Sequence, residues 1–426
     1  MRAQQLDLGD LTDPVLTDVQ RQILAYTESH PVDLDPDRML AEAIADAGAD
    51  DLADDLPDDQ SGGGLRGRLS AYVAAIEADT GLRQLARRTL RSRIVRLLRN
   101  RLSLTDLLKR YPEITAIEIE RPLIVVGMPR SGTTHLVNLI AEDPRRRALP
   151  YWESQEPIPA RGQGPDTAGI DPRFARAKAE HDALMASAPY VAAMHDQFPE
   201  AIEEEVELLD LDLAAYVLEW HARVPSWRDT YLGLDHYRHY RYLKTVLQAL
   251  TFLRGPRTWV LKSPQHAEQL GPLMATFPDA TVAFTHRDPV AVIQSAATMM
   301  AYSDRLRRNS IEPQWLIEYW TDRVHRLLSA CVRDRALVPA DRSIDIGFHQ
   351  LNGDEMGQLR ALYDRAGVDI PSSVADRFRR YLDANPRGKK GAIRYDLTGH
   401  FGVSAKDLRA RFGFYLDRFD VRTEDP

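Results

Sequence analysis

The residues best placed to do chemistry lie in PLIVVGMPRSGTTHLVNLI, residues 122–140. Gly127 and Gly132 frame a tight turn, and Thr133 and Thr134 follow it. That outline is a phosphate-binding loop, where successive backbone N–H groups and a helix N-terminus together make an anion site. A nucleoside triphosphatase would carry a lysine at the position of Thr133, beside a hydroxyl that holds magnesium. Here the cation is Arg130, within the loop, and the hydroxyls come from Thr133 and Thr134. An arginine fork, two hydroxyls and the loop amides suit a phosphate with a single terminal anionic group and no bridging metal. A phosphosulfate answers that description.

Such a loop needs a strand before it and a helix after it, and the surrounding pattern supplies both. Short apolar runs predict strands at 122–127, 258–262, 280–286 and 343–348. Helical segments are expected at 133–142, 200–221, 240–254, 265–276, 289–302, 313–335, 355–366, 372–384 and 404–418. Their alternation predicts an α/β fold, a mainly parallel sheet flanked by helices in the manner of P-loop nucleotide-binding proteins. Residues 121–426 would form this domain, with 1–120 as a helical N-terminal appendage.

Within the appendage, ten aspartates between Asp33 and Asp59 precede SGGG and read as a short helix followed by an acidic linker. The stretch GLRQLARRTLRSRIVRLLRNRLSL then places Leu90, Ile94, Leu97 and Leu98 at helical spacing among many arginines. It reads as a basic amphipathic helix with a solvated face; a lid over an anion and a membrane-surface helix are the functional alternatives.

Composition limits the classes open to the chain. With 426 residues, 44% of them hydrophobic, it can bury a large core. A net charge of −8 gives no general reason to bind nucleic acid. The beginning MRAQQLDLGDLTDPV has no apolar signal core and no run approaches membrane-span length, so a cytoplasmic protein is expected. A single cysteine, Cys331, excludes an internal disulfide framework and any multi-cysteine zinc site. Glu203, Glu204 and Glu205 with His195 could suggest a metal, but neighbouring glutamates on a helix face different ways, and no metal is expected.

GMPRSGTT resembles the 5′-phosphosulfate loop of sulfotransferases that use 3′-phosphoadenosine 5′-phosphosulfate, PAPS. WVLKSPQHAEQLGPLMATFPDATVAFTHRDPVAVIQS, residues 259–295, is similar to a second block of the large bacterial branch of that family. The resemblance implies that Arg130, Ser131, Gly132, Thr133 and Thr134 hold the phosphosulfate, while Arg287 and Ser295, eight apart, bind the 3′-phosphate. Asp288 and Pro289 fit a helix start, which would leave Arg287 at a strand end. NPRGKKGAIRYDLTGHFG, 385–402, resembles the segment that closes over the 3′-phosphate through residues such as Arg387 and Lys389; an ordinary basic loop is the equal alternative. His135 stands where cytosolic members carry an adenine-stacking tryptophan, and Ile393 where bacterial relatives carry histidine, so no adenine platform is assigned.

Sulfuryl transfer moves an anionic group in line between two oxygens, so positioning and charge stabilisation carry it. The resemblance implies that Lys262 neutralises the departing oxygen, with Arg130 assisting. It offers two bases: Glu153, in PYWES, and His266, in the KSPxH pattern. Glu153 is the first candidate, with His266 orienting or replacing it. Trp220, Trp227, Tyr231, Tyr237, Tyr240 and Tyr242 would line an acceptor pocket or fill helix core. The expected function is therefore transfer from PAPS to a small-molecule hydroxyl. A P-loop kinase lacks its loop lysine and magnesium-holding acid here; a silent PAPS-binding protein would have no use for Lys262 or a base. No motif names the acceptor or the oligomeric state.

Overall fold

The computed structural model describes residues 5–6, 8–48, 64–386, 389 and 391–424. Its strands are β1 (Gln5–Leu6), β2 (Leu123–Gly127), β3 (Arg146–Arg147), β4 (Thr258–Ser263), β5 (Thr281–His286), β6 (Ser343–Gly347) and β7 (Ala392–Ile393). Apolar and β-branched side chains dominate β2, β4 and β5, and these strands are buried along nearly their whole length, as a parallel sheet covered on both faces requires. β6, at an edge, is only partly buried. The five-stranded sheet runs β3-β4-β2-β5-β6, every pair parallel. Its α/β architecture is the one expected.

Alternation along β2 divides the core. Leu123 and Val125 face a cluster with Leu136, Ile140, Leu359 and Phe378. Ile124 and Val126 face a larger cluster with Leu247, Ile293 and Leu327. The chain visits β4 on one side of β2 and β5 on the other, so the crevice beyond the C-terminal end of β2 is a topological switch point, where ligands of open α/β sheets bind.

The helices before residue 120 share that larger cluster, through Leu69, Tyr72, Ile94 and Leu98 among others. Not all of their arginines lie on a solvated face. Arg93 and Arg101, on the helix Gln84–Arg110, are buried. Arg93 donates to Asp210 and Glu207, at 2.6 and 2.7 Å, and Arg101 to Asp212 at 2.5 Å. Arg68, from the helix Leu65–Glu77, binds both the carbonyl and the carboxylate of Asp212. Most of the acidic linker, 49–63, lies outside the described residues.

The segment expected as one helix at 200–221 is broken. Ile202 bridges to Pro150, Glu203 donates its N–H to the Leu149 carbonyl, and helical turns begin only at Val206. Leu213, at φ 46°, interrupts the remainder before Tyr216–Trp220. The carboxylates at 203–212 each reach partners on other elements, and those bonds outcompete a continuous helix. The helix at 404–418 is likewise two, Ala405–Ala410 and Gly413–Phe419, and 265–276 opens with a tight turn at Pro264–Glu268 before Leu270–Thr276.

Candidate active site

The loop leaves β2 at Gly127 and enters the helix Thr133–Ala141. Gly127 is required by close approach: a Cβ there would lie 2.1 Å from Thr285 Oγ1. Gly132, at φ 92°, makes the reversal into the helix in a region that glycine occupies without penalty. Ser131 is buried; its hydroxyl lies 2.7 Å from the Met128 carbonyl and from Thr285 Oγ1, pinning the turn to β5. Thr133 is buried and Thr134 exposed at the helix start.

Arg130 adopts φ 68°, a left-handed conformation that costs a non-glycine residue about 1–3 kcal/mol. Three bonds hold it there. Its Nε donates to Ser295 Oγ at 3.0 Å, its Nη1 to the Met194 carbonyl, and its own carbonyl accepts from Arg287 Nη1 at 2.6 Å. The structure therefore brings Arg130, Arg287 and Ser295 together from three elements. Asp288 caps the helix Pro289–Arg307 through Val290 N–H, and this helix start fixes Arg287 and Ser295 relative to each other. Ser295 also meets the Tyr395 hydroxyl at 2.8 Å. No sequence pattern singled out Tyr395, although it lies in the basic segment 385–402. Of that segment's proposed anion ligands, Lys389 is exposed beside Asn385 at 3.2 Å, and Arg387 lies outside the described residues.

Lys262 is the penultimate residue of β4, its side chain 1% exposed. Its Nζ reaches Thr134 Oγ1 at 3.4 Å and binds the Glu204 carboxylate. Its backbone N–H donates to Glu205 Oε2 at 2.7 Å. Glu205 Oε1 lies 2.5 Å from His266 Nε2, and His266 Nδ1 lies 2.7 Å from the Tyr240 hydroxyl. The Glu205 carboxylate sits on one ring nitrogen and the Tyr240 hydroxyl on the other. Both ring nitrogens of His266 are thus engaged, and the ring is fully buried.

Glu153 has different neighbours. Its oxygens accept from Arg254 Nε at 2.7 Å and Arg147 Nη2 at 3.0 Å. Arg147 is paired in register with Trp259, three positions before Lys262, or about 10 Å along the strand. None of the contacts described for Glu153 is with a loop residue. Trp227, Tyr231 and Tyr240 are fully buried core, while Tyr237 is exposed.

Two of the three consecutive glutamates bind Lys262, which they can do because 201–205 is not helical: Glu204 meets its ammonium and Glu205 its backbone, while Glu203 Oε2 binds His195 Nε2 at 2.9 Å. Glu203 Oε1 in turn accepts the Glu204 N–H at 2.9 Å. Attraction to Glu203 raises the pKa of His195. Burial works against the charge of Glu203, but His195 and Lys262 outweigh it and hold its carboxyl below the usual range. For Glu204 burial prevails, aided by the neighbouring Glu203, and its pKa is raised despite Lys262.

The loop at the switch point, a buried lysine near the end of the adjoining strand and an arginine–serine pair on the next strand and helix thus lie together. Residues 122–372 match the sulfotransferase family, and the chain belongs to it. It is 24% identical over 334 residues to the omega-hydroxy-beta-dihydromenaquinone-9 sulfotransferase Stf3 of Mycobacterium tuberculosis and of Mycobacterium bovis, covering 72% of this chain and 77% of theirs. Its fold matches the crystal structure of sulfotransferase STF1 from Mycobacterium tuberculosis, with TM-score 0.76 and 25% identity over 89% of this chain and 98% of the other. Sulfotransferase STF9 from Mycobacterium avium matches with TM-score 0.79 and 24% identity, over 92% and 98%. The protein is an enzyme of sulfuryl transfer.

Proposed function

We propose that this protein transfers a sulfuryl group from PAPS to a hydroxyl of a small-molecule acceptor, without a metal, in the cytoplasm. The observation that carries this reading is Lys262 Nζ beside Thr134 at the start of the loop helix, where an ammonium can meet charge on an anion held by the loop amides. The donor fits the residues present. Gly127 keeps the loop tight, Arg130 and the threonines supply a fork and hydroxyls, and Arg287 already holds a carboxylate, that of Glu424, as it would hold a phosphate.

In this reading Arg130, Ser131, Gly132, Thr133 and Thr134 receive the 5′ end of the donor, and Arg287 with Ser295 its 3′-phosphate. Lys389 and Arg387 belong to the segment that would close over it. Lys262 donates to the oxygen that leaves. Glu153 and His266, with their polar atoms engaged, act as supports: His266 holds Glu205, which holds the Lys262 backbone. An acceptor with apolar character accords with the name of Stf3 and with the exposed rings of Tyr190 and Phe198, which flank His195 in the chain. Among the described residues no helix is long and apolar enough to cross a membrane.

The test is ligand stabilisation. The desulfated nucleotide, 3′-phosphoadenosine 5′-phosphate (PAP), is expected to raise the melting temperature far more than ATP with magnesium, because binding to the native state alone stabilises by mass action. Equal shifts would count against the sulfotransferase donor and for a nucleotide kinase.

A further inference from the structure

We infer that Glu204 is the base that takes the proton of the acceptor hydroxyl, with Glu203 and His195 as its positioning residues. This rests on the reading above and adds a catalytic residue to it. Glu204 binds the ammonium of Lys262, which itself touches Thr134 of the loop, so the carboxylate sits beside the group that would receive the departing charge. Access separates the carboxylates: the Glu204 side chain is 17% exposed, against 2% for Glu153 and 1% for Glu205. Glu204 is the most exposed of the three, and it is the one that binds the Lys262 ammonium.

The local bonding gives Glu204 a fixed place. Glu203 accepts its backbone N–H with one oxygen and binds His195 with the other, while Glu205 anchors the Lys262 backbone. The charged groups facing Glu204 are Lys262, Glu203 and His195. Burial, with Glu203 beside it, moves its pKa upward and so makes it a stronger base than an ordinary carboxylate.

The step balances as follows. The hydroxyl proton passes to the Glu204 carboxylate, and the freed oxygen pair forms the new O–S bond. The S–O bond to the 5′-phosphate breaks, and its electron pair stays on that phosphate oxygen, where Lys262 donates a hydrogen bond. The sulfate ester and PAP leave, and Glu204 returns its proton to solvent.

Glu204→Gln, which keeps shape and removes basicity, is the test. The assay measures PAP release from radiolabelled PAPS with water and with a series of primary alcohols, alongside PAP-induced thermal stabilisation. The expected result is at least about a hundredfold loss of turnover with PAP stabilisation unchanged, and a weaker but pH-shifted activity in Glu204→Asp. Without any ligand, the protonated-carboxyl infrared band lost in Glu204→Gln should titrate above the ordinary carboxylate range. Turnover within threefold of wild type, or loss of PAP stabilisation together with turnover, overturns the assignment while leaving the donor reading in place. A wild-type protein that PAP does not stabilise and that releases nothing from PAPS overturns both.

Discussion

The carboxylate of Glu424 spans the guanidinium of Arg287, with Oε1 2.7 Å from Nε and Oε2 2.8 Å from Nη2. The third edge of Arg287 donates to the Arg130 carbonyl, and its face lies 3.9 Å from the centre of the Phe348 ring. Glu424 is itself fixed by its backbone: its N–H donates to Asp288 Oδ2 and its carbonyl accepts from Arg409. An internal anion therefore lies on the arginine assigned to the 3′-phosphate.

Removal of that anion is expected to help the ligand. Glu424→Ala should tighten PAP binding by up to about fivefold, the worth of a partly exposed ion pair that no longer has to be displaced. Arg287→Ala should weaken it. Isothermal titration of both variants with PAP checks the pair; affinity unchanged in both would remove the 3′-phosphate from this arginine.

In the loop, Arg130→Ala is expected to weaken PAP binding by roughly 1.5–3 kcal/mol, the range for a charge-assisted hydrogen bond. Thr133→Ala should weaken it too, with the chain still folded by circular dichroism. Gly127→Ala should do more damage than either, because the new methyl group meets Thr285 and displaces the turn. Unchanged affinity in the first two would make the loop a structural turn.

Lys262→Ala separates chemistry from binding. If its ammonium acts mainly as the S–O bond breaks, turnover falls while PAP affinity stays nearly intact, the signature of an interaction made in the transition state. A loss of PAP affinity as large as the loss of rate would make Lys262 a binding residue instead.

Far from the loop, Asp212 takes two buried arginines and His239. Burial alone would raise its pKa, but the His239 hydrogen bond and the charges of Arg101 and Arg68 bring it down to about 2. A carboxyl depressed on folding stabilises fully above its unfolded pKa of about 4 and loses that stabilisation as pH falls through about 2. The amount at stake is about 2.5 kcal/mol. Asp212→Asn should cost about 3–5 kcal/mol at neutral pH, since it leaves buried arginine charge uncompensated, and should flatten the acid limb of stability. Urea titrations across that pH range measure both.

How far the sequence carried these conclusions differs between elements. The loop, β4, β5 and the Arg287–Ser295 pair were legible because each depends on local order: a glycine frame, an apolar run, a capping aspartate followed by proline. The break at 201–205 was not, because a run of glutamates before VELLDLDL has good helical spacing. Only the distant partners His195, Lys262 and His266 show why each glutamate points elsewhere. Glu153 shows the same dependence on distant partners. Its place in PYWES suggested a base, whereas Arg254, a hundred and one residues away, occupies one of its oxygens. The arginines of the helix Gln84–Arg110 have a spacing that suits solvent equally well, and only their tertiary partners distinguish a clamp from a surface.

Those arginines set the size of the exchangeable unit. Arg93 and Arg101 grip 207–212, just behind the glutamates that meet Lys262, from a helix that precedes the region matched to the family. Grafting residues 122–372 from one relative into another would carry the loop and its carboxylates but leave behind the cations that hold them. Recombination within this family is therefore constrained by contacts across residue 120, and the breakpoints that preserve activity should fall before Arg68 rather than at the start of β2.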